Sequence, residues 1–146
     1  MSDNNKNLML AAPCGIYCGL CPAYKAKDDE GLKEDLIKKG LKREQLPCPG
    51  CREVKGHCPA IQQQCETYIC TVNKDAQFCF DCSEYPCERL NPASDRASTL
   101  PHNLKVFNLC YIKEQGLEKY IEEAPKIQYK YYLGKMTIGK GPQIEK

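Results

Sequence analysis

Eight cysteines fall within the forty residues from Cys48 to Cys87, and this density constrains the possible folds more than any other feature. They are Cys48, Cys51, Cys58, Cys65, Cys70, Cys79, Cys82 and Cys87. Free cysteines are usually scattered, so clustering of this kind indicates either metal–thiolate sites or a disulfide framework. Which of these two applies determines the fold and the function that can be inferred from the rest of the sequence.

The spacing of the cysteines favours metal. In CPGC, the central proline and glycine suit a type II turn, which brings Cys48 and Cys51 together. Zinc knuckles hold tetrahedral zinc with short CxxC loops of this kind. The same spacing recurs in CFDC, at Cys79 and Cys82, and in CGLC, at Cys18 and Cys21. Three such motifs together favour metal sites over disulfides.

The N-terminal sequence points to the cytoplasm, and the net charge bears on the possible partners. MSDNNKNLMLAAPCG contains one lysine and an apolar run too short for a signal peptide. The sequence contains no run of eighteen apolar residues that could span a membrane. The reducing cytosol argues again against structural disulfides. The formal net charge is +2, and two zinc ions with four thiolates each would change it to about −2. A generally basic nucleic-acid-binding surface is therefore not indicated.

A third cysteine group precedes the dense stretch, after residues 1–12, which read as a loose arm. CGIYCGLC places Cys14, Cys18 and Cys21 in a CxxxCxxC spacing. Radical S-adenosylmethionine enzymes hold a four-iron cluster with this spacing, but they need a longer chain of alternating βα units than this one. Loops rich in cysteine also hold iron–sulfur clusters, so an iron–sulfur electron carrier or redox sensor is the alternative to zinc.

The order of the motifs resembles that of a known family. CGIYCGLCPAY is followed by CPGCR, by GHCPA with two further cysteines, and by FCFDCSEYPCERL, a pattern running from Cys14 to Leu90. In this order the motifs are similar to domain-of-unknown-function family 3795, which comprises small cysteine-rich prokaryotic proteins. The resemblance implies that the cysteines are zinc ligands, and it carries no assigned activity.

Eleven cysteines are candidate metal ligands: Cys14, Cys18, Cys21, Cys48, Cys51, Cys58, Cys65, Cys70, Cys79, Cys82 and Cys87. Two four-thiolate sites would leave three of them over, and three sites need a twelfth ligand such as His57. Cys65 and Cys70 lie about 140° apart on an ideal helix, so we expect them in different centres. If the CxxxCxxC group is a three-ligand site, its open position is where a catalytic zinc would hold water.

The remaining sequence predicts a small, mostly helical α+β fold. Helices are expected from Asp29 to a stop at Gly40, from Pro59 to Val72, from His102 to a stop at Gly116, and from Leu117 to an end at Pro125. Alternation from Ile127 to Ile138 around Gly134 predicts a short β-hairpin. A cysteine-rich metal-binding domain over residues 13–90 would then pack against a helical hairpin and β-hairpin over residues 101–146.

These patterns predict a cytoplasmic metal-binding protein with two to three zinc ions and a structural or partner-binding role. HExxH and GxSxG motifs are lacking and no βαβ pattern surrounds a CxxC, so we lean towards a non-enzyme without catalytic residues. The expected partner is a protein. Lysines and tyrosines interleave after Pro125 and could contact single-stranded nucleic acid, but tyrosines covering the helix pair are the simpler interpretation. Cys110 stands outside every motif and is expected to be a buried thiol.

Overall fold

Six α-helices and one two-stranded sheet form the regular structure of residues 3–61, 63–92 and 101–144, which the computed structural model describes. The helices are α1 (Asp3–Leu10), α2 (Pro22–Lys25), α3 (Glu30–Lys38), α4 (Glu66–Asn73), α5 (Lys105–Gln115) and α6 (Leu117–Leu133). Strand β1 (Lys135–Thr137) pairs antiparallel with β2 (Gly141–Gln143), with Met136 opposite Pro142. Loops with single turns of 3-10 helix carry most of the cysteines. The predicted small, mostly helical α+β class is confirmed.

Helix α3 lies where the sequence predicted a helix, and α2 precedes it. Pro22 occupies the first position of α2, where its missing N–H costs nothing. The Asp29 side chain caps α3 by accepting a hydrogen bond from the Leu32 N–H at 3.0 Å. Gly40 follows α3 with φ +107°, a left-handed conformation that glycine adopts without strain. These boundaries follow from local chemistry alone.

The main hydrophobic core joins both ends of the described chain to the cysteine-rich loops. Its buried members are Ala11, Phe78, Leu90, Leu109, Ile112, Tyr120 and Ala124. Helices α5 and α6 form the predicted hairpin, with Gly116 between them at φ +92°. Because Phe78 and Leu90 belong to the cysteine-rich part, the hairpin closes over that part and buries one face against it.

Helix α1 replaces the loose arm that we expected for residues 1–12, of which residues 1 and 2 lie outside the described residues. Leu10, Ala11 and Ala12 are all buried, and α1 packs against α6. The Ala11 carbonyl accepts a hydrogen bond from the Arg52 Nε at 2.8 Å. The local sequence is a weak helix former, and its helical state depends on these tertiary contacts.

Helix α4 is shorter than predicted, because it begins at Glu66 and not at Pro59. The Cys65 N–H donates to the Gly56 carbonyl at 2.8 Å, and the Gln64 side chain donates to the Lys55 carbonyl at 2.6 Å. These two bonds turn the chain back on itself and place Cys65 at the N-cap of α4. Ile61 and Val72 therefore do not belong to one helix, and Val72 is exposed.

Helix α6 runs through Pro125, where we expected it to end. The proline removes one helical hydrogen bond, but Pro125 faces solvent while Tyr120 and Ala124 are buried on the opposite side. Packing of that side keeps the helix intact. The β-hairpin consequently starts later than predicted and turns at Ile138–Lys140. Neither α6 nor any other helix of the described residues has the length and apolarity needed to cross a membrane.

Candidate metal centre

The structure brings the eleven candidate cysteines into two neighbourhoods. The first thiol group comprises Cys14, Cys18, Cys21, Cys48, Cys51, Cys58 and Cys65. The second thiol group comprises Cys70, Cys79, Cys82 and Cys87. Cys14 and Cys79 are also close enough to repel each other as thiolates, so the two groups are adjacent. Cys65 and Cys70 fall in different groups.

The first thiol group is assembled from two CxxC motifs that meet face to face. A 3-10 turn (Cys18–Leu20) places Cys18 and Cys21 on one side. The Cys48 N–H donates to the Ala23 carbonyl at 2.9 Å and fixes the CPGC loop beside them. Gly50 has φ +116°, the positive value that the predicted turn needs. As a result, the thiol of Cys51 donates a hydrogen bond to the sulfur of Cys18.

Main-chain N–H groups point at several of the sulfur atoms, each from two residues beyond the cysteine. The Glu84 N–H lies 3.3 Å from the Cys82 sulfur. The same bond reaches Cys14 from Ile16, Cys21 from Ala23, Cys48 from Gly50 and Cys58 from Ala60. Hydrogen bonds from N–H groups favour the thiolate over the thiol, and they support the sulfur ligands of metal sites.

Burial of the thiols has the opposite effect, because it favours the thiol over the thiolate. Loss of hydration raises the pKa of Cys14, Cys21 and Cys48, and it raises that of Cys58 to about 11. Cys18 is the exception, because the hydrogen bond from the Cys51 thiol lowers its pKa and raises that of Cys51. Most of these thiols are therefore protonated at neutral pH, and a metal ion would have to displace their protons.

Two cations lie beside the first thiol group and offset its charge. The Arg52 guanidinium stacks on Phe78 at 4.9 Å and donates to the carbonyls of Ala11 and Gln77. Its charge lowers the pKa of Cys18. Lys105 at the start of α5 lowers the pKa of Cys14 in the same way, within the larger opposite effect of burial. The cysteine motifs revealed neither cation, although Arg52 directly follows CPGC in the sequence.

The second thiol group lines one small cavity of about 30 Å³. Helix α4 supplies Cys70, the turn at Cys79–Asp81 supplies Cys79 and Cys82, and the loop before Leu90 supplies Cys87. Burial raises the pKa of Cys79 to about 12, and the charges of Cys14, Cys87 and Cys70 add to this effect. The Lys74 ammonium donates to the Cys82 sulfur and pairs with Glu84. This lysine is a further residue that the motifs did not reveal.

The thiols of both groups converge without forming a closed set of ligands. Within the described residues, no three side chains of histidine, cysteine, aspartate or glutamate form a ready-made group for a metal ion. Metal binding would therefore require side-chain rotations that draw neighbouring sulfur atoms together. The N–H donors and the adjacent cations suit thiolate ligands for such a metal.

The other sequence candidates lie apart from these groups or at their edge. His57 is exposed, and its main-chain N–H donates to the Val54 carbonyl at 3.0 Å. Cys110 is exposed instead of buried, which corrects our expectation. Its sulfur lies 3.1 Å from the Tyr85 hydroxyl, at the edge of the cavity of the second thiol group. Helix α5 turns Cys110 outward while Leu109 and Ile112 fill the core.

Comparison with known proteins places the cysteine-rich part in a family. No curated protein and no solved structure matches the chain significantly. A family model described as "Protein of unknown function (DUF3795)" matches residues 10–92, a span that contains both thiol groups. The matched span covers more than half of the chain, and the protein therefore belongs to this family of unknown function, DUF3795.

Proposed function

We propose that this chain is a zinc protein in which thiolates of the two groups hold metal ions that fasten its loops, giving it a structural and partner-binding role. The observation that supports the proposal most is the cavity of about 30 Å³ lined by four cysteines. Four thiolates around one small space make up the usual ligand set of a structural zinc ion. Their four positions are spread over eighteen residues, so an ion there would connect α4 to the loop that leads into the main core.

The size of this cavity favours zinc over an iron–sulfur cluster at the second thiol group. A space of that volume accommodates a water-sized species. A cluster of several iron and sulfide atoms would need the surrounding elements to move apart. The N–H contact from Glu84 and the ammonium contact from Lys74, both to the Cys82 sulfur, suit either metal, so the cavity volume carries the distinction.

Elemental analysis and an absorption spectrum of protein purified without oxygen test this proposal. We expect two to three zinc ions per chain and a colourless solution. Cys70→Ser should lose one ion, because it removes a thiol from the second group. Cys110→Ser is the matched control, since Cys110 is exposed outside both groups, and it should keep the full zinc content. Iron with acid-labile sulfide would contradict the zinc proposal and indicate electron transfer or sensing, and a metal-free chain would contradict metal binding altogether.

The partner-binding part of the proposal rests on the C-terminal surface, formed by the end of α6 and the β-hairpin. Its exposed apolar side chains include Leu133 at 67%, Met136 at 70% and Ile138 at 100%. Residues 125–144 contain four lysines and no acidic residue, while the rest of the chain carries a net negative formal charge. An exposed apolar patch bordered by one sign of charge marks an interaction site. We expect an acidic protein surface with apolar residues as the partner.

Cross-linking from a photoreactive residue at position 138 tests this surface, with the same residue at Val72, which is also exposed, as the control. The captured protein is then purified and its binding reconstituted. Binding should require an acidic partner, weaken as salt rises, and be lost in Ile138→Glu but not in Val72→Glu. Salt-sensitive binding of an oligothymidylate, lost in Ile138→Glu, would contradict the protein partner and indicate a nucleic-acid surface.

A further inference from the structure

The two thiol groups differ in size, and this difference bears on how many ions each one takes. The argument rests on the proposed function, that is, on zinc binding by these thiols. The second group has four cysteines, which match one tetrahedral ion. The first group has seven, which are too many for one ion and one too few for two independent ions of four ligands each.

Cys18 occupies the centre of the first thiol group. Its charge acts on Cys14, Cys21, Cys48, Cys51 and Cys58. It is a buried member of a small core, 7% exposed, and Cys14 and Cys51 pack against that core. The remaining member of the group, Cys65, interacts with Cys14 at the edge. The Cys18 sulfur thus has other cysteines of the first thiol group on several sides.

We infer that the first thiol group binds two zinc ions and that the Cys18 sulfur bridges them. Seven thiolates with one shared between the ions fill two tetrahedral coordination shells. With one further ion in the second thiol group, eleven cysteines saturate three ions. The twelfth ligand that the sequence seemed to require is then unnecessary, which agrees with the exposed position of His57.

The surroundings of Cys18 suit a bridging sulfur. A bridging thiolate donates electron pairs to two cations, so it needs further ligand sulfur atoms on more than one side and positive charge nearby. The main-chain N–H of Cys51 donates to the Cys18 sulfur, and Arg52 lies close to it. Two zinc ions with seven thiolates carry a net charge of about −3, and the guanidinium of Arg52 together with the ammonium of Lys105 partly compensates that charge.

Cadmium NMR of the wild-type protein tests the bridge without any substitution. Zinc is replaced by ¹¹³Cd, and one-dimensional and correlation spectra are recorded. We expect three resonances at shifts typical of thiolate ligands. Two of them should show scalar coupling to each other through the shared sulfur, and the third should show none.

Zinc counting in variants gives an independent readout. Cys18→Ser should lose two of three ions, Cys70→Ser should lose one, and His57→Ala should lose none. Far-ultraviolet circular dichroism of each variant ensures that zinc is counted on folded protein. If Cys18→Ser does not fold, the cadmium spectrum of the wild-type protein still tests the bridge.

Three results would overturn the bridge. Three uncoupled cadmium resonances, with one ion lost in His57→Ala, would make His57 the twelfth ligand. Two uncoupled resonances would mean one ion in each group, and the proposed zinc function would stand without the bridge. A protein that binds no metal would overturn the proposed function and the bridge together.

Discussion

Gly15 shows how one residue fixes the first thiol group to helix α5. It lies beside Cys14 with φ +96°, and a Cβ at this position would stand 2.7 Å from the Lys105 carbonyl oxygen. The Asn108 side chain donates to the Gly15 carbonyl at 2.8 Å, and the Tyr120 hydroxyl donates to it at 3.4 Å. Only glycine combines this conformation with so close an approach of two backbones.

Gly15→Ala should therefore destabilise the protein by about 1–3 kcal/mol, since it adds backbone strain and a steric clash. Urea unfolding of the zinc-loaded protein measures the change. The matched control is Gly139→Ala in the hairpin turn, where φ is +84° but no atom lies within 4 Å of the added Cβ. A loss of stability in Gly15→Ala no larger than in this control would show that the contact with α5 is unimportant.

The buried thiols make the stability of the metal-free, reduced protein depend on pH. Burial raises the pKa of Cys58 to about 11 and that of Cys79 to about 12, whereas an unfolded cysteine ionises near pH ~8.5. As pH rises above that value, the unfolded chain releases protons that the folded chain retains. Stability should thus be fully present below about pH 8 and fall as pH rises through 9 to 11.

The fall in stability is measured from unfolding midpoints of chelator-treated protein at roughly pH 7.5 and pH 10, one below and one above the pKa of an unfolded cysteine. Cys58→Ala should lose less stability between these two pH values than the wild type, because one buried thiol with a raised pKa is gone. Zinc-loaded protein should not show the fall, since its ligands are already deprotonated. An unchanged midpoint in the metal-free wild type would contradict the raised pKa of these thiols.

At the scale of elements, local signals predicted the helices that have caps and failed where packing overrides them. The cap at Asp29 and the stop at Gly40 depend on neighbouring atoms only, and the sequence placed α3 correctly. Pro125 is a strong local stop signal, yet α6 continues because Tyr120 and Ala124 before it and Ile127 after it pack in the core. A single sequence carries no record of that packing.

Pro125→Ala should stabilise the protein by about 1–3 kcal/mol, because proline in a helix interior costs about 3 kcal/mol relative to alanine. The change restores an N–H that can donate to the Ile121 carbonyl, at an exposed position where little else is altered. Thermal and urea unfolding measure the gain. Pro22→Ala at the first position of α2 is the control and should bring no such gain.

The two thiol groups were also only partly predictable. The CxxC spacing alone indicates that Cys48 lies near Cys51 and that Cys79 lies near Cys82. The meeting of Cys18 with Cys51 depends on the bond between the Cys48 N–H and the Ala23 carbonyl, a contact across twenty-five residues. Long-range pairings of this kind leave no periodic signal in the sequence, so the assignment of cysteines to groups needed the structure.

The core that the cysteine-rich part shares with helices α5 and α6 determines which elements should unfold when metal is removed. A separate metal-binding domain over residues 13–90, as the sequence predicted, would unfold on chelation before the C-terminal helices. In the structure, Phe78 and Leu90 of the cysteine-rich part pack in one core with Leu109 of α5. Loss of metal from the loops should therefore loosen α5 and α6 as well.

Hydrogen exchange before and after exhaustive chelation under reducing conditions measures this coupling. We expect main-chain amides of α5 to lose protection together with those of α4. Protein treated with chelator and then given back excess zinc is the control, and it should regain protection in both helices. Unchanged protection of α5 after chelation would mean that the helical hairpin is stable by itself.

The packing of α1 against α6 also determines when the protein can complete its fold during synthesis. All eleven candidate ligands precede residue 88, yet the core against which Cys14 and Cys79 pack lacks Tyr120 and Ala124 until the ribosome has added α6. The nascent cysteine-rich segment therefore emerges with its sulfur atoms available to metal and oxidants before its cover exists. Early capture of zinc would protect these thiols, so the supply of metal during translation should determine the yield of correctly folded chains.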